Sequence, residues 1–251
     1  MFFGKGEFVD KKLSTILDDA VFFFEESNAI IFEASDNEKI KYEKSNRRSA
    51  FARASIINSA FLLEATANSC ISSLELSKDF YTDVEKMRTL SKFEFYLKSL
   101  NVGRHIDKGS SLVQKASDLI SQRNSYVHPK HFVGKWEKID ERSVKVNLGE
   151  SQFLKLPKTL WKCQHSHAEN SLKASIGFVS YFFRDLCGFN EHKTRQIIFD
   201  DHDPQNPQKW IRLHEEVGVD VGFLVNVQEV KENERKLAEH IAEQEANKRN
   251  A

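Results

Sequence analysis

The chain is poor in helix-breaking residues and carries no net charge. Glycine occurs 10 times and proline 4 times in 251 residues, and 37 lysines and arginines balance 37 aspartates and glutamates. Because glycine and proline interrupt helices, their scarcity favours long uninterrupted helices. A neutral chain lacks the overall field that draws proteins onto nucleic acid, so any contact with RNA or DNA has to come from a local patch.

Paired cysteines and long apolar runs are missing as well. Cys70, Cys163 and Cys187 are odd in number and form no Cys-x-x-Cys pair, which disfavours a disulfide framework or a zinc module and favours a reducing compartment. The most apolar runs, 21–24 and 29–32, are far shorter than the roughly 20 residues of a membrane helix. The N-terminus has no signal-peptide pattern. We therefore expect a cytoplasmic protein with no membrane segment.

Apolar residues recur at three- and four-residue spacing along most of the chain, which predicts helices. The predicted helices cover residues 13–27, 37–76, 82–100, 111–128, 158–186 and 230–250. Residues 54–64 are apolar nearly all round and are expected to be buried. Gly188 is the expected C-terminal stop of the fifth helix. Residues 210–227 fit a short helix with one or two strands, and residues 200–207 fit a loop.

One segment breaks the helical pattern. Residues 132–139 and 143–148 read as two short strands around a polar turn, which predicts a β-hairpin. The expected fold is therefore mainly α: a helical bundle over residues 1–190 with a hairpin insertion at about 132–148. A C-terminal extension over 191–251 would contain the loop and a charged terminal helix.

The strongest chemical signal is the sequence Arg-Asn-Ser-Tyr-Val-His-Pro at residues 123–129. Pro129 disfavours helical backbone at the residue before it, so the helix from Ser111 should end near His128. Histidine transfers protons near neutral pH, and the permanently charged guanidinium of arginine can bind phosphate oxygens bidentately. These side chains suit cleavage of RNA without a metal ion.

The spacing of the motif poses a geometric problem. Five residues turn a helix by about 500°, which leaves Arg123 and His128 about 140° apart. Asn124 and His128, four residues apart, share a face. Either Arg123 reaches around the helix, or the last turn loosens before Pro129, or another subunit supplies the second half of the site.

An arginine and a polar residue, followed after a short gap by a histidine at the end of a bundle helix, resemble the signature of the HEPN superfamily. The resemblance covers about residues 37–186, and the hairpin departs from it. It implies a small α-helical bundle, metal-independent endoribonuclease activity without a cofactor, and a homodimer whose two motifs meet in one cleft. It assigns catalytic roles to Arg123, His128 and Asn124. Glu64 and Asn68 match the acidic and amide positions of the preceding helix, and Tyr126 is a supporting residue.

Structural roles are the alternative for the same residues. Arg123 would be a surface cation near a helix C-terminus, where positive charge is favourable, and His128 a capping residue. A carboxylate in an apolar helix needs a partner, so Glu64 should bond to Arg123 or to a backbone amide. An ion pair that orients Arg123 is compatible with both interpretations.

Two further clusters are weaker candidates. Arg47, Arg48 and Arg53 would form a basic strip for RNA, although a solvated helix face explains them as well. Cys163 and His167 are four residues apart, as paired metal ligands can be, but no second ligand cluster matches them, so no metal site is expected.

Two functions follow from the motif. The first is a homodimeric endoribonuclease with an RNA substrate, acting as a toxin or antiphage effector beside a possible antitoxin or defence-system partner. The second is a non-catalytic HEPN-like module for dimerisation, adaptor contacts or nucleotide binding. The two share a fold and differ in chemistry.

Overall fold

The computed structural model describes residues 12–128, 133–140, 143–147, 149–199 and 207–249. These residues form nine α-helices and one antiparallel hairpin, which confirms the mainly α prediction. The helices are α1 Leu13–Ala29, α2 Glu38–Ser72, α3 Lys78–Glu85, α4 Thr89–Ser99, α5 Ser111–Val127, α6 His165–Ser180, α7 Glu191–Ile198, α8 Pro207–Val217 and α9 Val227–Arg249. The strands are β1 Lys135–Lys138 and β2 Val144–Asn147. Among the described helices, none is long and apolar enough to cross a bilayer.

The long helix α2 is the centre of the bundle and packs against α1, α4, α5 and α6. Its first turn is capped by Asn37, whose side chain accepts a hydrogen bond from the Ile40 N–H at 3.0 Å. Small buried side chains let neighbouring helices approach, and Ser55 Oγ donates to the Ala20 carbonyl at 2.7 Å. The helix predicted over 37–76 is confirmed, although it ends at Ser72.

Phenylalanines fill the core between α4 and α6. Phe93, Phe178, Phe182 and Phe183 are fully buried. The Phe182 ring centroid lies 4.5 Å from that of Phe93 and 5.3 Å from that of Phe183, both with an edge turned to a face. This arrangement is the favourable one for aromatic pairs. Phe182 is therefore the centre of the aromatic core.

The structure differs from the prediction of one helix over 82–100. Two helices, α3 and α4, are separated at Arg88, whose backbone is extended at φ −63° and ψ 147°. The break lets Val84 and Phe93 both face the core, while Met87 between them is exposed. No glycine or proline marks this point. The apolar spacing alone therefore could not show the break.

The helix predicted over 158–186 starts later and widens near its end. A 3-10 turn, Leu160–Lys162, precedes α6. A π-helical turn, Tyr181–Leu186, continues α6. Gly188, at φ 69°, then takes the left-handed conformation that favours glycine at a helix end. The stop expected at Gly188 is confirmed.

The predicted hairpin is confirmed in β1 and β2, which pair antiparallel with Trp136 opposite Val146. Every side chain of β1 is exposed, including 72% of the Trp136 surface. The hairpin thus adds exposed apolar surface after α5 in the chain.

The C-terminal extension packs against the bundle. Trp210 and residues 219–225 contribute buried side chains to the same apolar core. Arg184 Nη1 lies 2.6 Å from Asp220 Oδ2 and ties this segment to the end of α6. Between α8 and α9 the described chain is irregular and contains no strand. The terminal helix is confirmed, and residues 200–206 of the predicted loop lie outside the described residues.

All three cysteines are free thiols in the interior. Burial raises the pKa of each thiol, that of Cys187 to about 12. Cys163 lies under α5, where its Sγ is 3.2 Å from the Tyr126 hydroxyl.

Candidate functional site

Helix α5, which carries the motif, turns one face to the core and another to solvent. Its buried positions are Val113, Ala116, Leu119, Gln122 and Tyr126. The helix ends at Val127, and His128 has non-helical backbone at φ −119° and ψ 70°. The His128 N–H still donates to the Asn124 carbonyl at 3.0 Å. The predicted helix over 111–128 is confirmed, and the last turn does loosen at His128.

Arg123 is held by three neighbours. Its Nη2 lies 2.7 Å from Glu64 Oε2 on α2, and its Nη1 donates to Asn124 Oδ1 at 2.9 Å. The guanidinium carbon lies 5.1 Å from the centroid of the Phe61 ring. Opposite charge and cation–π attraction both favour this orientation. Glu64 was expected to bond either to Arg123 or to a backbone amide, and the structure shows the bond to Arg123.

Part of the guanidinium remains available to an anion. Arginine has two N–H groups on each terminal nitrogen, and one on each is used by Glu64 or Asn124. The Nε atom is buried without an acceptor among the described residues. About a quarter of the side chain (24%) is exposed, so an anion from solvent can reach part of it.

The face of α2 beneath Arg123 is partly buried. Ile57, Phe61 and Glu64 repeat at three- and four-residue spacing along it, and each is partly in solvent. Residues 54–64 are all buried or partly buried, as expected for this apolar segment. Arg123 of α5 lies over the partly buried Phe61 ring.

A buried lysine, missed by the sequence reasoning, completes the surroundings of Glu64. Lys92 on α4 is 5% exposed, and its Nζ donates to Asn68 Oδ1 at 2.7 Å. Burial lowers the pKa of Lys92, and the negative charges of Glu64 and Glu85 oppose that shift. Asn68 is thus engaged by a cation, as Glu64 is. The available signal was the four-residue spacing of Lys92 from the buried Tyr96.

His128 lies apart from this cluster. Its imidazole is exposed and makes no hydrogen bond or ion pair with a described residue. Loosening of the last turn therefore frees the imidazole without joining it to the Arg123 guanidinium within one chain.

A groove of about 940 Å³ lies between α4 and α5, and we name it the α4–α5 groove. Glu64, Arg123 and Asn124 line it, and His128 does not. Three further cations, Arg88, Lys98 and Lys108, line the same groove. Two of the three predicted catalytic residues thus share one concave, partly basic surface.

Tyr126 faces away from the groove, into the core. Its hydroxyl lies 3.3 Å from the Pro157 carbonyl oxygen and 3.2 Å from Cys163 Sγ. Burial raises the pKa of Tyr126 well above its usual range. Its contacts are structural, and the supporting role predicted for it is not one of direct contact with the groove.

The three arginines of the predicted basic strip, Arg47, Arg48 and Arg53, do not line the α4–α5 groove. The Arg47 guanidinium lies 5.4 Å from the Phe51 ring centroid. Arg53 Nη1 donates to Ser49 Oγ at 2.9 Å. Arg47 Nη2 also lies 4.0 Å from Glu26 Oε2 on α1, and Arg53 is partly buried, so these arginines make contacts within the fold rather than forming one free basic strip.

Cys163 and His167 use their polar atoms inside the protein. His167 Nδ1 accepts a hydrogen bond from the Gln164 N–H at 2.9 Å and helps to cap α6. Cys163 contacts Tyr126. Within the described part of the chain, no group of three histidine, cysteine or acidic residues is placed to hold a metal ion.

Acidification should destabilise the fold through His167. Burial lowers the pKa of His167, so the unfolded chain takes up a proton more readily than the folded chain does. Stability is therefore complete above the ordinary histidine pKa of about 6.5 and is lost as pH falls from there through the lowered pKa of the folded state. The loss should be about 1 kcal/mol, the typical net contribution of one hydrogen bond.

Urea unfolding at pH 7.5 and at pH 5.5 measures this loss. His167→Gln removes the titration and keeps an acceptor for the cap, so its stability should change less with pH. His165, whose pKa burial also lowers, is common to both proteins and cancels in the comparison. Equal pH dependence in the two proteins would contradict the prediction.

No protein-family model, curated protein or solved structure matches this chain. A functional assignment has to be argued from the motif and from the geometry around it.

Proposed function

We propose that the protein is a HEPN-type endoribonuclease that needs no metal ion and acts as a homodimer. The observation that carries the proposal is the orientation of the Arg123 guanidinium beside the α4–α5 groove. Glu64 and Phe61 orient its guanidinium, and terminal N–H groups remain free beside a groove. Asn124 lines the same groove, and the exposed His128 follows at the end of the same helix.

The chemistry requires one proton-transfer group and one phosphate-binding cation. His128 takes the proton of a ribose 2′-hydroxyl, and O2′ then attacks the adjacent phosphorus. The bond from phosphorus to O5′ breaks, and O5′ takes a proton from the protonated His128 imidazole or from water. Arg123 donates hydrogen bonds to the phosphate oxygens as negative charge builds on them. The products carry a 2′,3′-cyclic phosphate and a 5′-hydroxyl.

Arg123 and His128 point about 140° apart on a regular helix, and of the two only Arg123 lines the α4–α5 groove, which supports a composite site. A two-fold axis would bring the His128 of one copy to the Arg123 of the other. Val127 within the motif is 44% exposed, and Val133, four residues after the motif, is 87% exposed. Exposed apolar surface of this kind often marks an interface.

A second function is favoured by the ion pair itself. With Glu64 at 2.7 Å, Arg123 also suits a purely structural role in a non-catalytic dimerisation, adaptor or nucleotide-binding module. Incubation of the purified chain with a mixed RNA pool in EDTA separates the two functions. Fragments with cyclic-phosphate ends support the nuclease, and an intact pool supports the module.

As a nuclease, the protein would act as a toxin or antiphage effector. Such a role implies a partner, an antitoxin or another defence component, that restrains it. Expression should then arrest growth, and His128→Ala should relieve the arrest. Growth arrest that persists in His128→Ala would contradict the effector role.

Mixing two inactive variants should restore cleavage. In a dimer of Arg123→Ala with His128→Ala, one composite pair keeps both side chains. Random pairing after co-expression gives this heterodimer in about half of the dimers, so cleavage should return to a measurable fraction of the wild-type rate. If Arg123 and His128 act within one chain, no combination is active. A fully active monomer in sedimentation analysis would also overturn the composite site.

A further inference from the structure

The α4–α5 groove extends beyond the residues needed for cleavage. Its lining follows α5 from Val113 to Asn124, about 17 Å of helix. Arg123 and Asn124 belong to this lining, so the groove continues from the proposed cleavage site along the protein surface. An RNA longer than one nucleotide has a path into it.

Three cations are spread along this path. Arg88 precedes α4, Lys98 lies in its last turn, and Lys108 lies in the loop before α5. All three are exposed, and none forms an ion pair with a described residue. Free cations along a concave surface attract a polyanionic backbone.

The carboxylates of the groove are engaged by the protein. Glu64 is paired with Arg123 at 2.7 Å. Glu94 and Asp118 accept hydrogen bonds from backbone N–H groups at 3.0 Å and 2.6 Å. One oxygen of each carboxylate thus faces an internal donor. The groove lining still carries four cations against three carboxylates, and the three free cations face solvent.

Aromatic side chains accompany the cations. Phe153 is 37% exposed and lines the groove, and the bond from its N–H to Asp118 holds its backbone there. Phe95 also lines the groove and packs with its ring centroid 5.8 Å from that of Phe80. An exposed ring beside cations is the arrangement on which unpaired bases stack. Bases in a duplex are already stacked and paired, so they cannot use it.

We propose that the α4–α5 groove binds the single-stranded RNA that flanks the cleaved bond. Lys98 and Lys108 hold phosphates, and Phe153 stacks on a base. The inference rests on the proposed nuclease function and adds to it the substrate class: unpaired RNA, bound mainly through its backbone.

Binding can be measured without cleavage in the full chain carrying His128→Ala. The probe is a fluorescent single-stranded RNA of about 12 nucleotides, compared with a hairpin duplex of the same composition. Adding Lys98→Ala and Lys108→Ala together should weaken single-strand binding about tenfold and lower the salt slope by about 1.4, since each lost phosphate contact lowers it by roughly 0.7. Phe153→Ala should weaken binding about tenfold.

Matched controls separate this groove from general charge. Lys78→Ala with Lys193→Ala removes the same charge from exposed lysines outside the groove, and binding should hold within twofold. Phe153→Trp keeps a stacking surface and should retain affinity. Three results would each contradict the proposed RNA-binding role of the groove: an equal loss of affinity in the control pair, unchanged affinity in Phe153→Ala, or equal affinity for the duplex.

Different results would contradict the RNA-binding proposal and the nuclease proposal. If wild-type protein cleaves RNA, and the Lys98/Lys108 variant cleaves it at the same rate and binds it with the same affinity, the RNA-binding proposal for the groove is wrong and the nuclease proposal is supported. If the protein does not cleave RNA, but its binding of single-stranded RNA depends on Lys98, Lys108 and Phe153, the RNA-binding proposal is supported and the nuclease proposal is wrong.

Discussion

Replacing His128 with alanine should lower the rate of RNA cleavage by about 10²–10⁴-fold, the usual contribution of a general acid–base side chain. The fold should be unaffected, because the imidazole is exposed and makes no hydrogen bond or ion pair with a described residue. The backbone bond from His128 to Asn124 does not need the side chain. The free energy of unfolding should therefore stay within about 0.5 kcal/mol of wild type.

Single-turnover cleavage of an end-labelled RNA in EDTA measures the rate, and urea unfolding measures stability. A His128→Ala protein that is folded and still cleaves at the wild-type rate would show that another residue, or a contaminating nuclease, is responsible. The matched control is His192→Ala, since His192 is also an exposed histidine, on α7. It should leave the rate unchanged.

The arginine is expected to behave differently. Arg123→Ala removes the ion pair with Glu64 and the contact with Phe61, so it should reduce both activity and stability. Arg123→Lys keeps the charge and loses the planar fork, which should reduce activity with less effect on stability. Glu64→Gln leaves Arg123 less firmly oriented and should cost at most about 1 kcal/mol, because the pair is partly exposed.

Replacing Phe182 with alanine should lower the free energy of unfolding by about 3–5 kcal/mol. The side chain is fully buried, and its ring packs against Phe93 and Phe183 at 4.5 Å and 5.3 Å. Truncation would leave a cavity among rigid aromatic rings, which cannot collapse easily to fill it. Because a chain of this size loses roughly 2–4 °C of Tm per kcal/mol, the variant should melt far below wild type.

Thermal unfolding followed by circular dichroism provides the measurement. Phe182→Leu fills part of the space and should lie between wild type and Phe182→Ala. Phe22→Ala is the matched control, because Phe22 is 52% exposed, and its Tm should change little. If Phe182→Ala melts within 2 °C of wild type, the aromatic cluster is not the core of the bundle.

Much of the architecture was predictable because the spacing of apolar residues indicates which segments form helices and strands. Helices α2 and α5 and the hairpin follow from periodicity and from the turn residues between segments. The break between α3 and α4 is not indicated by this spacing: Arg88 leaves helical backbone so that Val84 and Phe93 can both reach the core. A tertiary requirement decides that position.

The candidate site was predictable only in part. That Glu64 needs a partner follows from its place in an apolar helix, and the structure shows that the partner is Arg123 rather than a backbone amide. Lys92 was missed because a lysine on a helix is usually solvated, and its spacing from Tyr96 is a weak signal beside that expectation. Tyr126 was drawn to the site by its place in the motif. Its register with Leu119 and Gln122 instead turns it into the core.

The labelling rates of the three buried thiols can measure how often parts of the protein open. A thiol reacts with alkylating agents as the thiolate, and burial raises the pKa of all three while it blocks access. Labelling of each cysteine therefore proceeds only when its surroundings open. Cys163 lies beneath Tyr126 and reports loosening of the motif helix, whereas Cys70 and Cys187 report opening of the bundle interior. One reagent can thus time two distinct motions of the same chain.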